Sequence, residues 1–210
     1  MTMLDLSVYL VTDRPLSLGR PLEWIVEEAV KGGVSVVQLR EKECDTRTFV
    51  ELAVRLRERL RPMGIPLLIN DRLDVALAAD ADGVHLGQND LPYAMARALL
   101  GPDKIIGLSV EIMEQVETAN HVDVDYIGIS PVFSTPTKTD TLMPFGVEGL
   151  RRATALSRHP AVAIGGINAH NAAAVFQAGA QGIAVVSAIC SAENPFEAAL
   201  TLKNACHATE

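Results

Sequence analysis

The sequence predicts an α/β fold, a single (β/α)8 TIM barrel, on three observations. Eight short apolar runs alternate with eight longer amphipathic stretches along the whole chain, and strict alternation of this kind builds a parallel sheet covered by helices. Several of the apolar runs stop abruptly on polar side chains, as Leu67-Leu68-Ile69 stops on Asn70-Asp71-Arg72. In barrels the carboxyl ends of the strands face the functional mouth, so such endings place chemistry there. Finally, one junction recurs, as Lys31-Gly32-Gly33-Val34, Ala81-Asp82-Gly83-Val84 and Ala180-Gln181-Gly182-Ile183, each turning a helix into a strand. Eight cycles in 210 residues leave about 26 residues each, within the lower size range of such barrels. The competing architecture is a doubly wound open sheet. Its usual nucleotide-binding signatures, Gly-x-Gly-x-x-Gly or Gly-x-x-x-x-Gly-Lys-Ser/Thr, do not follow the first strand.

Taken in order, the strands are expected at Val8–Thr12, Val34–Arg40, Pro66–Asn70, Gly83–Gly87, Lys104–Ser109, Tyr126–Ser130, Ala161–Gly165 and Gly182–Ser187. Each is a short Val/Ile/Leu-rich run bounded by turn residues. The helices are expected at Leu22–Lys31, Thr46–Leu60, Arg72–Ala79, Pro92–Leu100, Ile112–Asn120, Val147–Ser157, His170–Gln177 and Pro195–Cys206. In the second, Phe49, Leu52, Ala53 and Leu56 share one face, and Asp45 or Thr46 caps its start. Trp24 reads as helix packing with Ile25 and Ala29. The longest irregular stretch runs from Pro131 to Gly146. That exceeds an ordinary strand-to-helix connection and suggests a loop that serves a site. No linker or low-complexity tract divides the chain, so residues 1–210 read as one domain.

Composition narrows the class. With 49% hydrophobic and 21% charged residues, the chain can build a large core and is not of the disordered type. A net charge of −8 argues against a broad nucleic-acid surface, which would need clustered Lys and Arg, so any anion binds at a local basic spot. Cys44, Cys190 and Cys206 are odd in number and widely spaced, which indicates neither a disulfide framework nor a zinc site and fits a reducing cytoplasm. Met1 to Tyr9 lack a basic segment, and their short apolar run is interrupted by Asp5. They read as leading into a strand rather than as a signal or membrane span.

The strand ends then form one polar rim. Gln38-Leu39-Arg40-Glu41-Lys42 puts an amide and two cations at alternate positions, so those three side chains can point the same way. Asn70 and Asp71 follow the third strand, Gln88 to Asp90 the fourth and Ser109 the fifth, and Thr135-Pro136-Thr137-Lys138 lies in the loop after the sixth. Asp71 alone reads equally as a helix cap. Paired with Asp90 one strand over, it makes a candidate magnesium site, since that ion takes one or two carboxylates and completes its shell with water and phosphate oxygens. Arg40, Lys42 and Lys138 beside it supply enough positive charge for a diphosphate; rim salt bridges are the plainer alternative. Gly165-Gly166 and Val186-Ser187 end the last two strands, where barrels often hold a phosphate on backbone N–H groups. His85 reads as a hydrogen-bonded interior histidine, with a place near the site as the alternative. His121, His159, His170 and His207 show no metal-like spacing.

Together the segments Gln38 to Lys42, Asn70-Asp71-Arg72, Gly83-Val84-His85-Leu86-Gly87-Gln88 with Asp90, Pro131-Val132-Phe133 with Thr135 to Lys138, and Ala163 to Ile167 resemble the thiamine-phosphate synthase family, over nearly the whole chain. The resemblance implies a transferase that joins an aminopyrimidine methyl diphosphate to a thiazole phosphate, releasing diphosphate. It further implies that Asp71 and Asp90 bind Mg2+, that Arg40, Lys42, Asn70 and Lys138 hold the diphosphate, and that Gln38 and Ser109 surround the pyrimidine. Thr135, Thr137, Gly166, Val186 and Ser187 would hold the thiazole phosphate, and Leu39, Glu41 and Pro136, within the same motifs, are also expected to bind substrate. Catalysis on this reading falls to Arg40, Lys42, Asn70, Ser109 and Lys138. The partners are the two small substrates, with no nucleic acid or membrane, and room is left for a homo-oligomer. Ser130 and Asn89 depart from the family pattern, where Gly and an acidic residue are common; neither replaces an implied ligand. Two other readings stand beside it: an isomerase resembling the thiazole tautomerases of the same family, or a non-catalytic thiamine-phosphate-binding protein. Asp71, Asp90 and Lys138 together argue against both.

Overall fold

A computed structural model describes residues 4–135 and 143–207. Strands β1 (Val8–Val11), β2 (Val36–Leu39), β3 (Leu67–Asn70), β4 (Gly83–Leu86), β5 (Ile105–Val110), β6 (Tyr126–Ile129), β7 (Ala161–Ile164) and β8 (Gly182–Val185) pair in sequence order. The register Val8↔Ile183, Tyr9↔Ala184 and Leu10↔Val185 joins β1 to β8 in parallel and closes the barrel. Closure excludes the open sheet.

Between and after the strands run α1 (Leu22–Lys31), α2 (Thr46–Leu60), α3 (Leu73–Ala78), α4 (Tyr93–Leu100), α5 (Met113–Ala119), α6 (Gly146–Leu156), α7 (Ala172–Gln177), α8 (Ser187–Cys190) and α9 (Pro195–His207). The first two match their expected limits. Asp45 is the cap of α2, its carboxylate accepting from the Thr48 N–H at 3.0 Å. α8 is an addition to the expected set: the sequence places Ser187 in the eighth strand, whereas it opens this single turn. Several other strands end one residue short of expectation, since Gly87, Ser130 and Gly165 already belong to the turns that shape the mouth. Trp24 also departs from its reading. Ile25 and Ala29 are buried, but Trp24 is half exposed, with the Arg20 guanidinium over its ring at 5.7 Å.

Two apolar layers follow from the strand period of two. One set of strand side chains, including Leu10, Val37, Leu39, Ile69 and Ile127, packs outward under the helices. The other set, including Tyr9, Val36, Leu68, Tyr126, Val162 and Ala184, fills the barrel interior. Interior glycine makes room for the large rings: a Cβ on Gly107 would overlap the ring and hydroxyl of Tyr126, which is fully buried. Gly107→Ala is therefore expected to destabilise the protein by about 3 kcal/mol, the upper end of the usual range for overpacked cores. Urea titration measures this, and an unchanged midpoint would contradict it.

At the opposite end from the mouth, Asp80 accepts from Lys104 Nζ at 2.8 Å and Arg61 Nη2 at 2.9 Å. These bonds lower its carboxyl to about 2. A depressed carboxylate contributes stability that is present above the unfolded value of 3.8 and is lost as pH falls through the folded one. Asp80 has φ +49°, which Asn tolerates. Asp80→Asn should thus be slightly less stable than the parent near neutral pH, with the gap closing between about pH 4 and pH 2; a gap independent of pH would contradict the assignment.

Candidate active site

The mouth of the barrel, at the carboxyl ends of the strands, opens on a cavity of about 570 Å3. Its wall carries side chains from all eight strands or the turns after them. The alternation expected after β2 holds, since Gln38, Arg40 and Lys42 all line the cavity. The residues between them do not. Leu39 is fully buried in the layer beneath the helices, and Glu41 is held away from the cavity by Arg14, with bonds of 3.1 and 2.9 Å. Neither side chain therefore lines the cavity. Arg40 is positioned by its neighbours: its N–H donates to Thr12 Oγ1 at 3.0 Å and its Nη1 to Asp13 Oδ2 at 2.9 Å.

Asp71 leaves the chain at an unusual angle. It has φ +61°, its own N–H donates to the His85 carbonyl at 2.9 Å, and the Arg72 N–H reaches back to the Asn70 carbonyl at 2.7 Å. This is a γ-turn of the rarer, positive-φ kind, and strain of that sort gathers at functional positions. The capping alternative is resolved by the geometry: the N-cap of α3 is Arg72, with no side-chain cap bond. The Asp71 carboxylate instead accepts from Lys42 Nζ at 2.8 Å.

Asp90 lies beside it and accepts from the Gly87 N–H at 2.6 Å. The two acids interact directly. Burial works to raise the Asp71 carboxyl, but the bonds from Lys42 and Asp90 outweigh it and the net shift is downward. Burial and the adjacent Asp71 hold the Asp90 carboxyl above the usual carboxylate range. Two acids with one ammonium between them leave negative charge in need of a cation. The described residues contain no group of three or more His, Cys, Asp or Glu side chains able to cage a metal by themselves. A two-carboxylate site suits a hard ion that keeps waters and substrate oxygens in its shell, so the donor set fits magnesium.

The far side of the cavity is built differently. Gly165 and Gly166 have φ of +105° and +66°, and both line the cavity with Val186, Ser187 and Ala188. A Cβ on Gly166 would lie 2.8 Å from Phe133 Cβ and 2.9 Å from the Ser134 carbonyl, so only glycine fits. The first turn of a helix leaves its N–H groups without intrahelical partners, and α8 opens with Ser187 and Ala188 at this wall. Thr135 lines the cavity on the same side, whereas Pro136, Thr137 and Lys138 lie outside the described residues. Ser130, joined to Pro131 by a cis peptide bond, and Asn89 both line the cavity.

A family model described as thiamine monophosphate synthase matches residues 8–189. The chain belongs to the thiamine monophosphate synthase family. Among its relatives, the thiamine-phosphate synthase of Albidiferax ferrireducens is 55% identical over 198 residues, covering 94% of this chain and 90% of the relative. That of Leptospira biflexa is 55% identical over 202 residues, covering 94% and 96%. A solved structure of thiamine phosphate pyrophosphorylase from Pyrococcus furiosus superposes with a TM-score of 0.90 at 38% identity, covering 100% of this chain and 99% of that one.

Sequence reasoning missed the floor of this family member's cavity. Tyr9 and Tyr126 both line it from the interior, and their hydroxyls are 2.8 Å apart. His85 combines both of its readings, being hydrogen-bonded inside the barrel and part of the cavity wall. The missed signal was available: along Val8-Tyr9-Leu10-Val11 and from Tyr126 to Gly128, an interior position carries a phenol where barrels usually place branched aliphatics.

Proposed function

We propose that this barrel is a single catalytic domain that makes thiamine phosphate, as a transferase joining 4-amino-2-methyl-5-(diphosphooxymethyl)pyrimidine to 4-methyl-5-(2-phosphooxyethyl)thiazole with release of diphosphate. The observation that carries the proposal is the two-ended cavity. Its β2–β4 end gathers Arg40, Lys42, Asn70, Asp71 and Asp90, and the β7–β8 end of the same cavity gathers Gly166, Val186 and Ser187. A reaction needing one diphosphate and one phosphate fits such a cavity; an isomerase with a single phosphorylated substrate leaves the acidic and basic end without a task.

In this proposal Arg40, Lys42, Asn70 and, from the loop after β6, Lys138 bind the diphosphate and stabilise the negative charge that grows as the carbon–oxygen bond breaks. Asp71 and Asp90 hold Mg2+, which when bound neutralises diphosphate oxygens and makes the group a better leaving group. The electron pair of the broken bond stays with diphosphate. The methylene carbon is left cationic, stabilised by the electron-rich aminopyrimidine, and the thiazole nitrogen donates its pair to form the new carbon–nitrogen bond. Gln38 and Ser109 orient the pyrimidine, while Thr135, Thr137, Gly166, Val186 and Ser187 hold the thiazole phosphate. No general base is required, so the residues act by positioning and charge. The odd number and wide spacing of Cys44, Cys190 and Cys206 support a cytoplasmic setting, and among the described residues no helix is long and apolar enough to cross a membrane.

The test is turnover by purified protein given both substrates and magnesium. Thiamine phosphate and diphosphate should appear in equal amounts and stop on addition of a chelator. Isomerisation of a thiazole phosphate with no diphosphate released would favour the tautomerase reading instead.

A further inference from the structure

Five side chains from five strands form one hydrogen-bonded chain across the barrel beneath the cavity. Gln38 Nε2 on β2 donates to the Tyr9 hydroxyl of β1 at 2.7 Å, and that hydroxyl lies 2.8 Å from the Tyr126 hydroxyl of β6. Tyr126 meets His85 Nδ1 on β4 at 2.8 Å, and His85 Nε2 meets Ser109 Oγ on β5 at 2.8 Å. Each phenol has one proton to give. Burial pushes both phenols further above their ordinary range, so those protons stay in place.

With the Gln38 amide nitrogen toward Tyr9, the direction of the chain follows from counting protons. Tyr9 accepts from Gln38, and its own proton goes to the oxygen of Tyr126. The Tyr126 proton must therefore go to His85 Nδ1, and a neutral imidazole then carries its single ring proton on Nε2, donated to Ser109 Oγ. The Ser109 proton is thereby freed for the cavity. At the other end, Gln38 lines the cavity, and among the described residues the only buried side-chain polar atoms without a partner are Arg57 Nε and Arg97 Nε. The Gln38 carbonyl oxygen consequently reaches the open space as an acceptor.

We infer that Tyr9, Tyr126 and His85 are positioning residues that polarise the cavity floor, fixing Gln38 as an acceptor and Ser109 as a donor, so that the site selects a heteroaromatic ring bearing an amine beside a bare ring nitrogen. This rests on the function proposed above and deepens it by naming what discriminates the aminopyrimidine diphosphate from its 4-oxo analogue. In that analogue a carbonyl replaces the amine and the neighbouring nitrogen carries a proton, so both partners face the wrong way. A site built on directed hydrogen bonds rejects such a reversal strongly, because its buried polar groups are left unpaired.

The first measurement is nitrogen-15 NMR of the imidazole rings, with the His85 signals assigned by their loss in His85→Asn. The inference expects the folded parent to carry the ring proton on Nε2 and none on Nδ1; a proton on Nδ1 overturns it. Tyr126→Phe removes the donor to Nδ1 and should release the ring into a mixture of tautomers, whereas Tyr9→Phe leaves the Tyr126 donor in place and should keep the parent pattern. The second measurement is the ratio of kcat/KM for the amino and oxo substrates. It should fall about tenfold or more in Tyr126→Phe, with KM for the thiazole phosphate little changed, the size expected for a lost directed hydrogen bond. An unchanged ratio overturns the inference. Because the ring state is read without turnover, failure of the relay and failure of the synthase reading are separable, and the parent and Tyr9→Phe spectra decide the matter should Tyr126→Phe not fold.

Discussion

Asp71→Asn is expected to lower kcat by about 10^3-fold while KM for the thiazole phosphate changes by less than about threefold, the pattern of a lost electrostatic contribution confined to the leaving-group end. The substitution is chosen for the backbone. Asp71 has φ +61°, a region that Asn enters readily and Ala does not, so Asn removes charge without moving the turn. With one carboxylate gone, Lys42 loses its 2.8 Å partner and Asp90 faces the cavity without the acid that raises its pKa. Magnesium affinity should drop in parallel, measured by calorimetry in the absence of substrate. A variant that turns over like the parent would remove Asp71 from the chemistry.

The second large effect is expected at the opposite end. Gly166→Ala puts a methyl 2.8 Å from Phe133 Cβ and 2.9 Å from the Ser134 carbonyl at a residue with φ +66°. The wall must move, and KM for the thiazole phosphate should rise by about 100-fold with KM for the pyrimidine diphosphate nearly constant, since a misplacement of the order of 1 Å carries that cost. Gly146→Ala is the matched control: Gly146 has a similar φ of +63° but, among the described residues, no neighbour within 4 Å of an added Cβ. It should show only the strain of a left-handed alanine, roughly 1–2 kcal/mol of stability, with both KM values retained. Equal losses in the two variants would mean that strain, and not the shape of the phosphate end, sets the binding.

These two residues show how far the sequence could be read. The abrupt stop of Leu67-Leu68-Ile69 on Asn70 and Asp71 announces a strand end because a buried parallel strand is apolar on both faces. The glycine pair after β7 is equally plain. What the order of residues does not contain is which face a residue takes beyond the strand. Leu39 and Glu41 sit within the motif by contiguity, yet the pleat turns Leu39 under the helices and Arg14 draws Glu41 away. Ser187 reads as strand because Gly182 to Val186 is apolar, but the chain breaks into α8 once pairing with β1 ends at Val185. The relay was legible only in parts. Tyr9, Gln38, His85, Ser109 and Tyr126 lie as far as 117 residues apart for Tyr9 and Tyr126, and only barrel closure brings them into line. Pro136, Thr137 and Lys138 fall outside the described residues, so their roles rest on the family resemblance.

The most direct test of the two-ended cavity is a crystal structure of the protein with thiamine phosphate, diphosphate and magnesium. The account predicts diphosphate against Arg40 and Lys42, with the metal between Asp71 and Asp90, and the phosphate of thiamine phosphate against Gly166 and Ser187. Diphosphate seated at the β7–β8 end, or a metal bound away from both aspartates, would contradict it.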